Sequence, residues 1–308
     1  MLRSRPTTED MTHAAKIIGL ILAALSALGF ASTFVVGSAL TRECGVSPAV
    51  LSFLRFAIAG SAMFAVACAT RNGRARLVAA SKRDALTVAW LGPVGTSVMA
   101  WCVFMGCASV SSVNASMADA LAPLLIFVFA SIRARRIAGG DLACLLCGFA
   151  GALLVMQIVG RHGLAIQSLS AGDLYVLGGA ATWAVYTVCG TSLILRHGSF
   201  VFTVWTMLAG TIAIGAVLPF GDFAWPATPK AWMLVIALSF VSTLLPFWTW
   251  NVAQKFLPMS VLGVTAYFIP VVTLGLSHAC LGETSTPLQL VGTLLVVVSA
   301  TIETRRHR

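Results

Sequence analysis

Charge is the scarcest commodity in this sequence: only 10% of its 308 residues are Asp, Glu, Lys or Arg, against about a quarter in soluble domains. Together with a hydrophobic share of 58% and a mean hydropathy of +0.93, this excludes a soluble globular protein and makes the chain an integral membrane protein. No Walker A loop occurs, so energy for any work must come from gradients or from the concentration of a substrate. There is no Gly-x-Ser-x-Gly elbow, one histidine within an apolar run (His278) and one clear mid-span carboxylate (Asp119). Metal-dependent prenyl transfer wants clustered acids and intramembrane proteolysis a Ser-His arrangement, so an intramembrane enzyme is disfavoured. No metal site and no cofactor is expected. The pair Cys144-x-x-Cys147 has no second pair and no histidine in its run, which favours packing over metal or redox chemistry.

What the chain has in quantity is apolar runs. After a polar leader, residues 1–16, spans are read at Ile17–Leu40, Pro48–Thr70, Ala85–Ala108, Val113–Ile132, Leu142–Val159, Asp173–Leu195, Phe200–Phe220, Ala231–Ala253, Ser260–Leu281 and Leu288–Ile302. The first exceeds the ~7–15-residue apolar region of a secretory signal and its pattern recurs later, so it is kept as a span. The formal charge of +10 does not mark a nucleic-acid binder, because the basic residues fall between apolar runs and not on a soluble face. They concentrate in alternate loops: Arg42, Arg161 and Lys230 are alone on one side, while Arg71 to Arg83, Arg133 to Arg136 and the basic tail 303–308 share the other. The positive-inside rule then puts both termini in the cytoplasm.

The two halves resemble each other. Setting Pro123 on Pro270, an offset of 147, also sets Trp101 on Trp248, and Ala27–Val35 (ALGFASTFV) lies over Ala180–Val188 (AATWAVYTV), with Phe30 on Trp183. The expected units are a first repeat over 17–159, an outer loop over 160–172 and a second repeat over 173–302. Each holds five spans, an odd number, so the second must be inverted. The fold class expected is thus all-α, ten transmembrane helices as two inverted five-helix repeats (5+5), an arrangement typical of secondary carriers with midplane sites.

Ser52–Gly60 (SFLRFAIAG), Thr182–Val188 (TWAVYTV) and the run Tyr267–Val297, with Pro270, Gly282-Glu283 and Gln289-x-x-Gly292, resemble the drug/metabolite transporter superfamily in its ten-helix EamA-type branch. The resemblance covers nearly the whole chain, and within the branch the aromatic amino-acid exporters of the YddG kind are nearest in length. It implies alternating-access export of small metabolites across the inner membrane, amino acids and aromatic ones included. Efflux of a drug-like cation or a purine is the runner-up, and a passive channel stays open. The partners implied are a small-molecule substrate and membrane lipids. Where the family often has Gly-Glu after the fourth helix, this chain has Arg135-Arg136.

Candidate site residues follow from depth and type. Phe30 and Trp183 lie halfway along their spans, with Ser32, Thr33, Thr182 and Tyr186 near them, and suit an aromatic wall with hydroxyls; helix packing is the alternative. Trp101 and Trp248 sit ~10 Å deep from opposite ends and suit outer and inner lids, or ordinary burial. Arg55 and Asp119 lie at depths ~3 Å apart and can form a structural ion pair, or bind a substrate's carboxylate and ammonium, with Asp119 also a proton acceptor. Pro123 and Pro270 leave the carbonyls of Asp119 and Ala266 without helical partners, which suits hinges or ammonium acceptors. Tyr267 is a further cavity candidate. Asn114, Gln157, Asn251 and Gln254 are expected to hydrogen-bond between helices.

Overall fold

The computed structural model describes residues 13–135, 139–155, 159–160, 163–164, 170–282 and 286–306. Helices account for nearly all of this. In a lipid interior every backbone amide needs an internal partner, which a helix supplies locally. In chain order they are α1 (His13–Ser38), α2 (Pro48–Cys68), α3 (Arg71–Gly92), α4 (Met99–Ser109), α5 (Ser112–Asp119), α6 (Ala122–Ala134), α7 (Gly139–Val155), α8 (Ala171–His197), α9 (Ser199–Gly215), α10 (Pro229–Ser239), α11 (Leu245–Ala253), α12 (Met259–Ala266), α13 (Phe268–Leu281) and α14 (Pro287–Arg306). Six helical stretches are long and apolar enough to cross a membrane, and α6 and α13 are shorter apolar helices. The chain is a multi-pass membrane protein.

Four departures from ten simple rods carry information. The expected span Val113–Ile132 is two helices, because Pro123 has no N–H to offer Asp119, and the chain turns at Ala120 and Leu121 before α6 begins. Ser260–Leu281 is likewise split at Tyr267, ahead of Pro270. The stretch from Arg71, read as a loop, is helical: Thr70 caps it by accepting the Gly73 N–H at 3.0 Å, and it kinks at Asp84 before entering the third apolar run. Val159–Gly160 pairs with Gly163–Leu164 as a two-residue antiparallel ladder at the end of the expected fifth span and the start of the outer loop, so the helix does not reach Val159.

Element boundaries repeat at the offset found in the sequence. α5 ends at Asp119 and α12 at Ala266, α6 ends at Ala134 and α13 at Leu281, each 147 residues apart. A π-helical segment joins α3 to α4 at Pro93–Val98, and another joins α10 to α11 at Phe240–Leu244, again with starts 147 apart. Packing follows the same exchange: α4 lies on α8 as α11 lies on α1, α6 on α8 as α13 on α1, while α2 with α9 and α7 with α14 pair across the halves. Ion pairs do so with signs reversed. Asp84 accepts from Arg196 at 2.6 Å and meets His197 at 2.5 Å, and Lys230 meets Glu43, the image of Arg196, at 3.3 Å, one residue from the image of Asp84.

One boundary differs in chemistry. Both α6 and α13 close on a left-handed residue, Gly282 (φ 66°) in the second half and Arg135 (φ 52°) in the first. A side chain in that region costs about 1–2 kcal/mol, which glycine escapes. Replacing Arg135 by Gly is therefore expected to raise the thermal unfolding temperature in detergent, by about 1 kcal/mol of stability. A lower melting point would show that the arginine side chain contributes more than its backbone costs.

Candidate functional site

Residues three and four apart share a helix face, so α1 turns Phe30, Thr33 and Phe34 the same way, and α4 does so with Met99 and Val103. These side chains line a cavity with Arg55 of α2, Asp119 at the end of α5, Trp183 of α8 and Ile269 of α13. Six helices drawn from both halves thus converge on one space. Its volume is about 40 Å³, room for roughly three water molecules and too little for a metabolite without widening.

The charged groups in it are unusual. Arg55 is 1% exposed, and its Nε donates to Thr243 Oγ1 at 2.9 Å and its Nη2 to the Ser242 carbonyl at 3.3 Å. The guanidinium carbon also stands 4.9 Å from the Phe56 ring centroid and 5.3 Å from that of Phe104. The π-helical segment Phe240–Leu244 makes these contacts available: Thr243 Oγ1 donates back to the Leu238 carbonyl at 2.7 Å, and the Ser242 carbonyl is free to accept from Thr33 Oγ1 at 3.0 Å as well as from Arg55. Among the described residues no ion pair joins Arg55 to Asp119, and the Asp119 carboxylate has no hydrogen-bond partner. The direct pair expected from their similar depths is not formed, because the π-helical segment holds the guanidinium. An arginine and an acid thus face one cavity without meeting at contact.

The aromatic candidates are brought together. Phe30 and Trp183 meet edge to face with centroids 5.3 Å apart, and Phe247 and Trp250 complete a cluster around them. Tyr186 stacks on Trp183 at 5.2 Å, behind the cavity wall, and belongs to a buried polar chain: its hydroxyl meets Thr206 Oγ1 at 3.3 Å and accepts from Asn251 Nδ2 at 3.2 Å. Gly95 permits this closeness, since a Cβ there would lie 2.1 Å from a Tyr186 ring carbon. Asn251 and Gln254 do link helices, reaching Thr203 of α9 at 2.8 Å and Thr191 of α8 at 3.1 Å.

Other candidates lie elsewhere. Trp101 and Trp248 are 37% and 41% exposed on the outside of the bundle, near Tyr175 and Phe200, and do not line the cavity. Tyr267 is buried against Gly148, whose lack of a side chain admits the ring, and it too is off the cavity wall. Pro123 and Pro270 stand one turn beyond the helix breaks that their missing amides produce. Asn114 is half-buried and His278 exposed, whereas Gln157 and Glu283 lie outside the described residues. Phe34, Met99, Val103 and Ile269 were missed by the sequence reading. Phe34 sits one turn from Phe30 and Met99 falls in the proline-interrupted third span, signals that periodicity alone carried.

Removing a buried charge that has no contact counter-ion separates its structural from its functional role. Replacing Arg55 by Met fills much of the same space without the charge and should leave the thermal unfolding temperature in detergent unchanged or higher, whereas Arg55→Ala leaves a void and should lower stability by about 2–5 kcal/mol. A Met variant as unstable as the Ala variant would mean that the guanidinium is a structural cross-link.

The sequence matches the EamA-like transporter family over residues 17–157 and again over 170–304. It is 24% identical over 258 residues to the uncharacterized transporter YyaM of Bacillus subtilis, covering 82% of this chain and 83% of that one. It is 25% identical over 264 residues to a probable terminal-alkyne amino-acid exporter of Streptantibioticus cattleyicolor, covering 85% of each. Over 162 residues it is 26% identical to the aromatic amino acid exporter YddG of Ancylobacter novellus, covering 52% of this chain and 55% of the relative. A solved crystal structure shares the fold with a TM-score of 0.73 at 23% identity, over 97% of this chain and 99% of its own. These relatives are transporters by name, and none is named as an enzyme.

Proposed function

Because the chain belongs to the EamA-like transporter family, we propose that it exports amino acids, aromatic ones included, by alternating access between two inverted five-helix repeats. One observation carries the substrate reading. A buried arginine without a contact counter-ion and an acid without a partner line one cavity, whose remaining wall includes Phe30 and Trp183. An isolated charge in a low-dielectric interior is costly, and a zwitterion relieves both at once, its carboxylate taking the spare guanidinium donors and its ammonium the Asp119 carboxylate. The flat aromatic rings then favour a planar side chain. Two relatives named as amino-acid exporters agree with this reading.

The repeat supports the mechanism. The family matches the chain twice, breaks and π-helical segments recur 147 residues apart, and the helix contacts exchange in pairs. In such carriers the site lies where the repeats meet, and rocking of one repeat against the other changes which side it opens to. The charge distribution of the loops supports placing both termini in the cytoplasm, in an inner-membrane protein. A second reading, efflux of a drug-like cation or purine, draws on Asp119 facing the aromatic wall without a partner, but it leaves Arg55 idle.

Purified protein in liposomes should show saturable counterflow for one or more amino acids, with aromatic ones among the substrates. Asp119→Asn should reduce it to background while the protein inserts and melts as the parent does. Flux of organic cations that persists in Arg55→Met, with none for any amino acid, would replace the amino-acid reading by the cation one, and unchanged flux in Asp119→Asn would remove the acid from the site.

A further inference from the structure

The cavity has an image. Under the offsets that align the two halves, 153 for α1 on α8, 151 for α2 on α9 and 147 thereafter, the wall residues Phe30, Thr33, Phe34, Arg55, Val103 and Asp119 fall on Trp183, Tyr186, Thr187, Thr206, Trp250 and Ala266. Pairs of contacting residues obey these offsets. Ser26 Oγ donates to the Pro246 carbonyl at 2.9 Å, and at the image position a Cβ on Gly179 would stand 3.2 Å from the Met99 carbonyl oxygen. Arg55 meets Thr243 of one π-helical segment, and the Thr206 carbonyl accepts from Thr96 of the other at 3.5 Å.

The image region is closed. Trp250 and Tyr186 are buried in the aromatic cluster, and Thr187 is fully enclosed. Among the described residues, two buried side-chain polar atoms have no hydrogen-bond partner, Thr187 Oγ1 and Trp250 Nε1. Both belong to image positions, those of Phe34 and Val103. A buried donor left unpaired costs stability, and here two such atoms sit where the exchange of halves would open a cavity.

We propose that the chain has a second substrate site, closed in this structure, on the far side of the Phe30–Trp183 pair and lined by Tyr186, Thr187, Thr206 and Trp250. It opens when the two repeats exchange conformations, and water or substrate then pairs the Trp250 N–H and the Thr187 hydroxyl. Its chemistry differs from that of the first cavity. Thr206 stands for Arg55 and Ala266 for Asp119, so it offers aromatic faces and neutral hydroxyl and indole donors without a charge. It takes a small metabolite with a flat apolar part, held by stacking and neutral hydrogen bonds. In the proposed orientation this image lies toward the cytoplasm, where substrate for export enters. The inference rests on the alternating-access reading and not on the identity of the substrate.

Thr187→Cys, in a chain whose eight native cysteines are replaced by serine, tests it with a water-soluble, impermeant thiol reagent. The cysteine should be modified in inside-out vesicles about tenfold faster than in right-side-out ones, and faster than Ala184→Cys, an equally buried neighbour on α8 that images Ala31. Modification no faster than at Ala184, or only from the outer side, overturns the second site. Trp250→Phe supplies a measurement in the native cysteine background: it keeps the ring and loses the N–H, so it should melt no lower than the parent yet lower counterflow about fivefold or more. Unchanged flux in that variant would overturn the role of the indole. Absent amino-acid flux in the parent with Thr187→Cys still modified from inside would remove the substrate reading and leave the second site standing.

Discussion

A guanidinium enclosed by protein must be held by something, and in this chain it is held by a deformed helix. The π-helical segment at Phe240–Leu244 frees the Ser242 carbonyl and turns Thr243 Oγ1 toward Arg55, while the Phe56 and Phe104 rings stand within 5.3 Å of the charge. Among the described residues no carboxylate takes part. Arg55 satisfies its donors only in part, and its position is set from α10 and α11 and not from the acid across the cavity. The remaining geometry depends on this: were Arg55 paired with Asp119, the cavity would hold one neutral contact in place of two separated charges.

The same economy of backbone recurs wherever the helices are interrupted. A carbonyl without its helical partner is costly in hydrocarbon unless it faces other protein or a polar cavity. Among the breaks are two matched pairs, the π-helical segments at Pro93–Val98 and Phe240–Leu244 and the turns before Pro123 and Pro270, and all four pack against the other half. Side chains fill the gaps: Thr96 Oγ1 donates to the Gly92 carbonyl at 2.7 Å and Thr243 Oγ1 to that of Leu238 at the same distance, matched residues in matched roles. In the proposed alternating-access mechanism, interruptions so placed would serve as joints around which one repeat tilts against the other.

Much of this was legible in the sequence, for a physical reason. Apolar length gives spans, proline gives breaks, and the spacing of Pro123 and Pro270 gives the offset that the element boundaries then obey. Depth counting brought Phe30 to Trp183 and put Arg55 and Asp119 on one cavity. It failed where direction matters more than depth. Trp101 and Trp248 are at suitable levels but point out of the bundle, and Tyr267 points toward α7, a matter of helix rotation that no single residue reveals. The π-helical segments were invisible too, because an extra residue in a turn leaves no compositional mark, and with them went the partners of Arg55.

In the proposed mechanism, the internal symmetry accounts for how the protein would open, and its violations for what it would bind. A scaffold that images itself can exchange two conformations with little difference in packing, since each half takes over the contacts of the other. An ion at one position and a neutral residue at its image cannot exchange so evenly. Arg55 against Thr206 and Asp119 against Ala266 place both charges of the site in one repeat, close to the side proposed to face outward. Under the proposed function a zwitterion would therefore meet a neutral aromatic surface on one side of the Phe30–Trp183 pair and a charged one on the other. The difference in its affinity for the two states is what any ligand must supply to bias the equilibrium between them.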